Sequence, residues 1–105
     1  MPAIRVVSLR QFDGWLEKLK DVQARKIIAR RMNRLAEGHF GMTRNLGGGV
    51  SELKIDFGPG YRLYYTQRSA TVVWLLCGGD KSTQDADIAL ARKQGATIAG
   101  GDDGH

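Results

Sequence analysis

Lys54 and Arg62 are the side chains of this sequence best suited to holding a phosphate. A guanidinium grips two oxygens in its planar fork and keeps its charge, and an ammonium adds a compact point charge beside it. The pair is useful only on one surface, and the residues between them say that they share one. Gly58-Pro59-Gly60 sets a fixed φ between two permissive residues, which is turn chemistry. On either side lie period-2 runs, Ser51–Phe57 and Tyr61–Gln67, so a β-hairpin is predicted. A loop of residues 58–60 would pair Phe57 with Tyr61, Ile55 with Leu63 and Leu53 with Tyr65. This register gathers the aliphatic residues on one face. It leaves Glu52, Lys54, Asp56, Arg62, Tyr64 and Thr66 on the other, and a one-residue slip would exchange the faces. Arg62 can also pair across the strands with Asp56 or Glu52, a contact worth roughly 0.2–1 kcal/mol. Tyr64 is expected on the open face and Tyr65 in the core.

The elements that must position this hairpin are readable at both ends. Ile4–Leu9 is short and β-branched, a first strand. Phe12, Trp15, Leu16 and Leu19 recur at helical spacing and predict a helix from about Leu9 to Lys20. Asp21 can cap a second helix from about Val22 to Glu37, stopped by Gly38. Its apolar arc is Ala24, Ile27, Ile28, Met32 and Leu35, with Arg31 pointing into it, to snorkel to its edge or reach a cleft, and Arg25, Lys26, Arg30 and Arg34 on the flanks and back. His39–Gly49 reads as a glycine-rich hinge. Its three glycines lack the lysine and following helix of a phosphate loop. Thr71–Cys77 is apolar on both faces, which marks a covered central strand. After Gly78-Gly79-Asp80-Lys81, Ser82 or Thr83 can cap a short last helix. The four glycines and two aspartates of 95–105 predict a loose tail. The order is strand, two helices, three antiparallel strands and a short helix, an α+β sandwich of two helices on one sheet.

At 105 residues the chain fits one domain with room for a modest core. No run approaches a membrane span, and no signal-peptide pattern opens the chain. Cys77 is the one cysteine and lies in an apolar run, so a buried, inert thiol is expected and no internal disulfide can form. These features favour the cytoplasm. Residues 1–78 carry 13 Lys and Arg against 6 Asp and Glu, a net +7, while residues 79–105 carry 3 against 5, a net −2. A basic body suits a phosphate backbone or an acidic protein segment. No spacing of Cys, His, Asp or Glu predicts a metal site, and no cofactor is expected. His39 reads as a surface residue, and His105 is terminal.

Three stretches together resemble the RelE/ParE superfamily of toxins, and most closely its HigB-like addiction-module killer branch. They are Phe12–Asp21 (FDGWLEKLKD), Gly49–Tyr65 (GVSELKIDFGPGYRLYY) and Leu75–Ile88 (LLCGGDKSTQDADI). The resemblance implies a RelE-like fold over 1–94 with a flexible tail over 95–105. It implies the toxin of a type II toxin–antitoxin system, inhibited by a helix-turn-helix antitoxin encoded alongside. The activity it implies is metal-free cleavage of mRNA on the ribosome, with inhibition of DNA gyrase in the ParE manner as the rival. By position, Lys54 matches one of a pair of strand lysines whose other member is here Glu52. Arg62 matches the arginine after Gly-Tyr, and Lys81 the basic residue after the last strand. The terminal tyrosine of such nucleases has no counterpart, its place falling on or near Asp87. In such a reaction Arg62 would stabilise the phosphorane, with Lys54 and Lys81 adding charge. Tyr64 would stack a base, and Arg30 and Arg34 would supply an electrostatic footprint for RNA or for an acidic segment of the antitoxin.

Overall fold

The computed structural model describes residues 3–103, the side chains of 99–103 excepted. A five-stranded sheet carries three α-helices. The elements are β1 (Arg5–Ser8), α1 (Arg10–Lys18), α2 (Val22–Ala36), β2 (Thr43–Gly47), β3 (Val50–Ile55), β4 (Tyr61–Ser69), β5 (Val72–Gly79) and α3 (Gln84–Asp103). The strand order is β1-β5-β4-β3-β2. β1 lies parallel to β5 and every other pair is antiparallel, so the sheet is mixed where an antiparallel one was expected. The two helices between β1 and the hairpins supply the crossover that a parallel neighbour requires.

Alternation along the strands divides the core in two. Leu53, Ile55, Leu63, Tyr65, Val73 and Leu75 are buried with Phe12 of α1 and Ala24, Ile28 and Leu35 of α2. These are the expected aliphatic face and most of the expected helical arc. Val50, Tyr64, Leu76 and Cys77 are buried with Ala91 of α3, and Ile88 and Ile98 pack against them. Asp21 caps α2 as read, its side chain accepting hydrogen bonds from the Gln23 and Ala24 amides at 3.0 and 3.1 Å. Arg31 lies half-buried and donates to the Phe40 carbonyl at 3.4 Å, tying the end of α2 to the following connector.

Four expectations change. The hairpin pairs Ile55 with Tyr61, Lys54 with Arg62 and Leu53 with Leu63, so its register is two residues from the expected one. Asp56 and Phe57 belong to the loop, where the Phe57 amide donates to Ile55 O and the Gly60 amide to Phe57 O. A shift of two leaves every side chain on its face. Second, the supposed hinge contains β2. Gly47, Gly48 and Gly49 have φ of 87°, 64° and 79°, a left-handed run that turns β2 back onto β3 and that only glycine enters without strain. Third, Asp80 rather than Ser82 or Thr83 caps the last helical segment. Its carboxylate accepts from the Ser82 amide at 2.8 Å and opens a 3₁₀ turn, Lys81–Thr83, that runs into α3. Fourth, α3 is long and continues over 95–103, expected as a tail. Gly95 is buried, and a Cβ there would lie 2.8 Å from the Val50 side chain, so the glycine permits close helix–sheet contact. His105 lies outside the described residues. Among those residues, no helix is long and apolar enough to cross a membrane.

Candidate functional site

The polar face of the β3–β4 hairpin opens into a hollow of about 370 Å³ lined by Met42, Thr43, Arg44, Glu52, Lys54, Arg62 and Gln84. Lys54 and Arg62 are direct cross-strand partners, which puts their Cβ atoms about 5 Å apart. Arg44 stands opposite Glu52 on β2, so three adjacent strands present one polar row. Gln84 arrives from the first turn of α3 and closes the row from above.

Glu52 is the centre of this group. It is 5% exposed. Its carboxylate accepts a hydrogen bond from Gln84 Nε2 at 2.9 Å. It also pairs with Arg44 Nη2 at 3.5 Å and Arg62 Nε at 3.6 Å. Burial of a lone carboxylate is costly, and two guanidiniums and an amide offset it. Arg62 is 7% exposed, and its Nη1 donates to the Gly60 carbonyl at 2.9 Å. The turn that reverses the hairpin thus also sets the guanidinium. The cross-strand pairing of Arg62 with Glu52 that the sequence allowed is made, and Arg62 still lines the hollow. Lys54 is half-buried and has no carboxylate within 4 Å among the described residues. Two guanidiniums therefore hold one carboxylate, and the Lys54 ammonium is the charge left over.

Tyr64 is corrected. It stays on the face of Lys54 and Arg62, opposite Glu52, but is fully buried with Ala91 of α3 in the second core. A ring sealed there cannot stack a base. Its hydroxyl is buried beside Glu52. Burial, and then the charges of Glu52 and Asp87, push its pKa above the ordinary 10.0. Tyr65 is in the core as read.

The remaining basic candidates are not gathered with this group. Lys81 is exposed in the 3₁₀ turn, two positions beyond Gly79, the β5 partner of Arg62. It stands at the strand exit and does not line the hollow. Arg30 and Arg34 are exposed on α2, which packs on the opposite face of the sheet. His39 is exposed, as expected.

Asp87 stands near the position where the resemblance placed a tyrosine. It accepts from the Thr83 hydroxyl at 2.6 Å. Burial raises its pKa, the Thr83 hydrogen bond opposes this, and the Asp80 charge adds to the rise. The Cys77 thiol donates to the Asp87 carbonyl at 3.5 Å and is pushed up to about 12, mainly by burial, so it is inert as expected.

Sequence reasoning passed over Arg44, Gln84 and Met42 as site residues and treated Glu52 as a cross-strand partner and as the replacement for a strand lysine. The missing signal was β2. Once Thr43–Gly47 is read as a strand against β3, Arg44 falls beside Glu52.

A five-stranded mixed sheet carrying three helices is the fold this chain shares with toxin RelE. A solved mutant of E. coli toxin RelE in the free state superimposes with a TM-score of 0.64 at 15% identity, over 88% of this chain and 96% of that one. The chain belongs to the phage derived protein Gp49-like family (DUF891), whose model matches residues 14–95. An uncharacterized protein of Haemophilus influenzae is 46% identical over 89 residues, 85% of this chain and 90% of that protein.

Proposed function

We propose that this chain is the toxin of a HigB-like type II toxin–antitoxin pair and an endoribonuclease that cuts mRNA on the ribosome without a metal ion. The observation that carries the reading is the facing of Lys54 and Arg62 across β3 and β4 into one hollow. In-line attack by a ribose 2′-hydroxyl, its proton passing to water, forms the P–O2′ bond. The P–O5′ bond then breaks, the departing 5′-oxygen taking a proton, to leave the cyclic phosphate, and the phosphorane between them gathers negative charge. Arg62, held by Gly60 and Glu52, presents charge to it with little reorganisation. Lys54, free of a carboxylate partner, completes the clamp. Lys81 adds positive potential from outside the hollow. Glu52, in contact with two guanidiniums and an amide, serves to fix Arg44 and Arg62. The exposed basic side of α2, with Arg30 and Arg34, suits an acidic segment of the antitoxin.

The test is cleavage of mRNA on programmed ribosomes by the purified chain. Cuts within codons that leave a cyclic phosphate are expected. Arg62→Ala and Lys54→Ala should each slow cutting by about 10²–10³-fold, with thermal unfolding as the check on folding. Intact mRNA, together with gyrase–DNA adducts after induced expression, would replace the nuclease with the ParE-like reading.

A further inference from the structure

A second hollow adjoins the first. It has a volume of about 470 Å³, lies between β2 and α3, and its lining includes Arg44, Leu46, Asp85, Ala89 and Arg92. Arg44 lines both hollows. Its side chain is 59% exposed and is tethered at 3.5 Å by Glu52, so its charge is fixed in place yet reachable. Arg92 is exposed, and its Nη2 donates to the Leu46 carbonyl at 2.7 Å, which pins a second guanidinium from α3 against β2. At the mouth of the first hollow stands Met42, 68% exposed and one of two large apolar side chains so exposed among the described residues. Its carbonyl accepts from the Lys54 amide at 3.0 Å, so this apolar surface is held in register with the ammonium.

We infer that the two hollows form one track for single-stranded RNA. The strand runs from Lys54 and Arg62 past Arg44 into the β2–α3 groove, ending on Arg92. Three features support it. Arg44 lines both hollows, so it stands between Lys54 and Arg62 of the first and Arg92 of the second. Both outer guanidiniums are held by fixed acceptors, so binding a phosphate orders few side chains. Met42 supplies an exposed, polarisable apolar contact for a base beside a phosphate, the place Tyr64 cannot fill because it is buried. The single acidic group of the second hollow, Asp85, is exposed in the first turn of α3. It keeps the groove from being a uniform polyanion trap. Phosphate contacts position a strand without reading its sequence, so this track sets how a message lies and Met42 touches a base.

The inference rests on the proposed nuclease reading for what the strand is, but it can be tested separately. The full chain is titrated with a fluorescent, 2′-O-methylated octanucleotide RNA over a range of salt. Arg44→Ala and Arg92→Ala should each weaken binding several-fold whatever the sequence. Each should also lower the magnitude of the log K against log salt slope by about 0.7, one phosphate's worth for a single strand. Arg5→Ala, on the opposite edge of the sheet, should bind as the parent does. Ala89→Glu keeps a helix-compatible residue, places a negative charge in the groove and should weaken binding like Arg92→Ala. Met42→Ala should weaken binding without changing the slope, and Met42→Leu should restore it.

Unchanged slopes in both Arg92→Ala and Ala89→Glu overturn the track, even if programmed ribosomes are still cut. Binding of poly-glutamate that depends on Arg44 and Arg92, with no binding of the RNA, overturns it in favour of a protein partner. Slopes that change as stated uphold it, even if the parent cuts no message.

Discussion

The two faces of the sheet are built on different physics. Against α1 and α2 the sheet is dry. Leu53, Ile55, Leu63 and Leu75 meet Phe12, Ile28 and Leu35, and among the described residues no charged side chain is buried whole with them. Against α3 the same strands present Glu52 and Arg62, both nearly buried, beside Tyr64 and Cys77. The first face is held by area removed from water. The second holds polar groups that burial makes costly unless each finds a partner. The lesson is that the functional face uses apolar cover from α3 to fix charges: Ala91 and Ile88 pack over one end while Gln84 locks Glu52 at the other.

The comparison breaks most sharply at Glu52. Glu52→Ala leaves Arg62 buried without its carboxylate and should cost about 3–5 kcal/mol, read by urea unfolding. A loss below about 1 kcal/mol, the value of an exposed pair, would show the charged face to be no different from a surface. Leu63→Ala on the dry face comes next, at about 2–5 kcal/mol. Its remaining folded fraction should bind RNA as the parent does, because no charge moves. Altered binding by that fraction would mean that the two faces are coupled.

Gly14→Ala is a smaller test, in the opposite direction. Nothing lies within 4 Å of a Cβ there, and the residue is inside α1, so a gain of about 0.5–1 kcal/mol is expected. A loss would show that α1 is packed more tightly than its surroundings indicate.

The smallest effect is a dependence on pH. Burial raises Asp87 above its ordinary 3.8. A carboxylate raised in the fold contributes stability that is whole below the unfolded value and is lost as pH rises through the folded one. Asp87→Asn removes that loss and keeps an oxygen for Thr83 to bond. The variant's melting temperature should therefore rise relative to the parent's from about pH 4 upward and then level off. A difference that stays constant with pH would remove Asp87 from the account.

Much of this could be read along the chain, and the misreadings have common causes. The dry face and the common side of Lys54 and Arg62 followed from period-2 alternation, which survives a register error of two. The length of α3 did not follow, because glycine at 95 reads as a helix breaker until Val50 is seen beside it. β2 was missed because Thr43–Gly47 buries no full side chain and earns its place only through pairing with Val50–Leu53. Tyr64 was misplaced for the same reason as the helix that covers it. Glu52 was undervalued because its partners come from β2, β4 and α3, separate stretches of sequence.

Sequence alone determined which residues face together: alternation within each strand set Lys54 with Glu52 and Arg62 with Tyr64, and gathering the aliphatic residues on one face put both pairs on the other. Only the tertiary structure decided which of them meet solvent and which are sealed. That choice depends on α3 lying across the sheet and on β2 closing its edge, and contact between elements distant in the chain leaves no mark on the periodicity of either one.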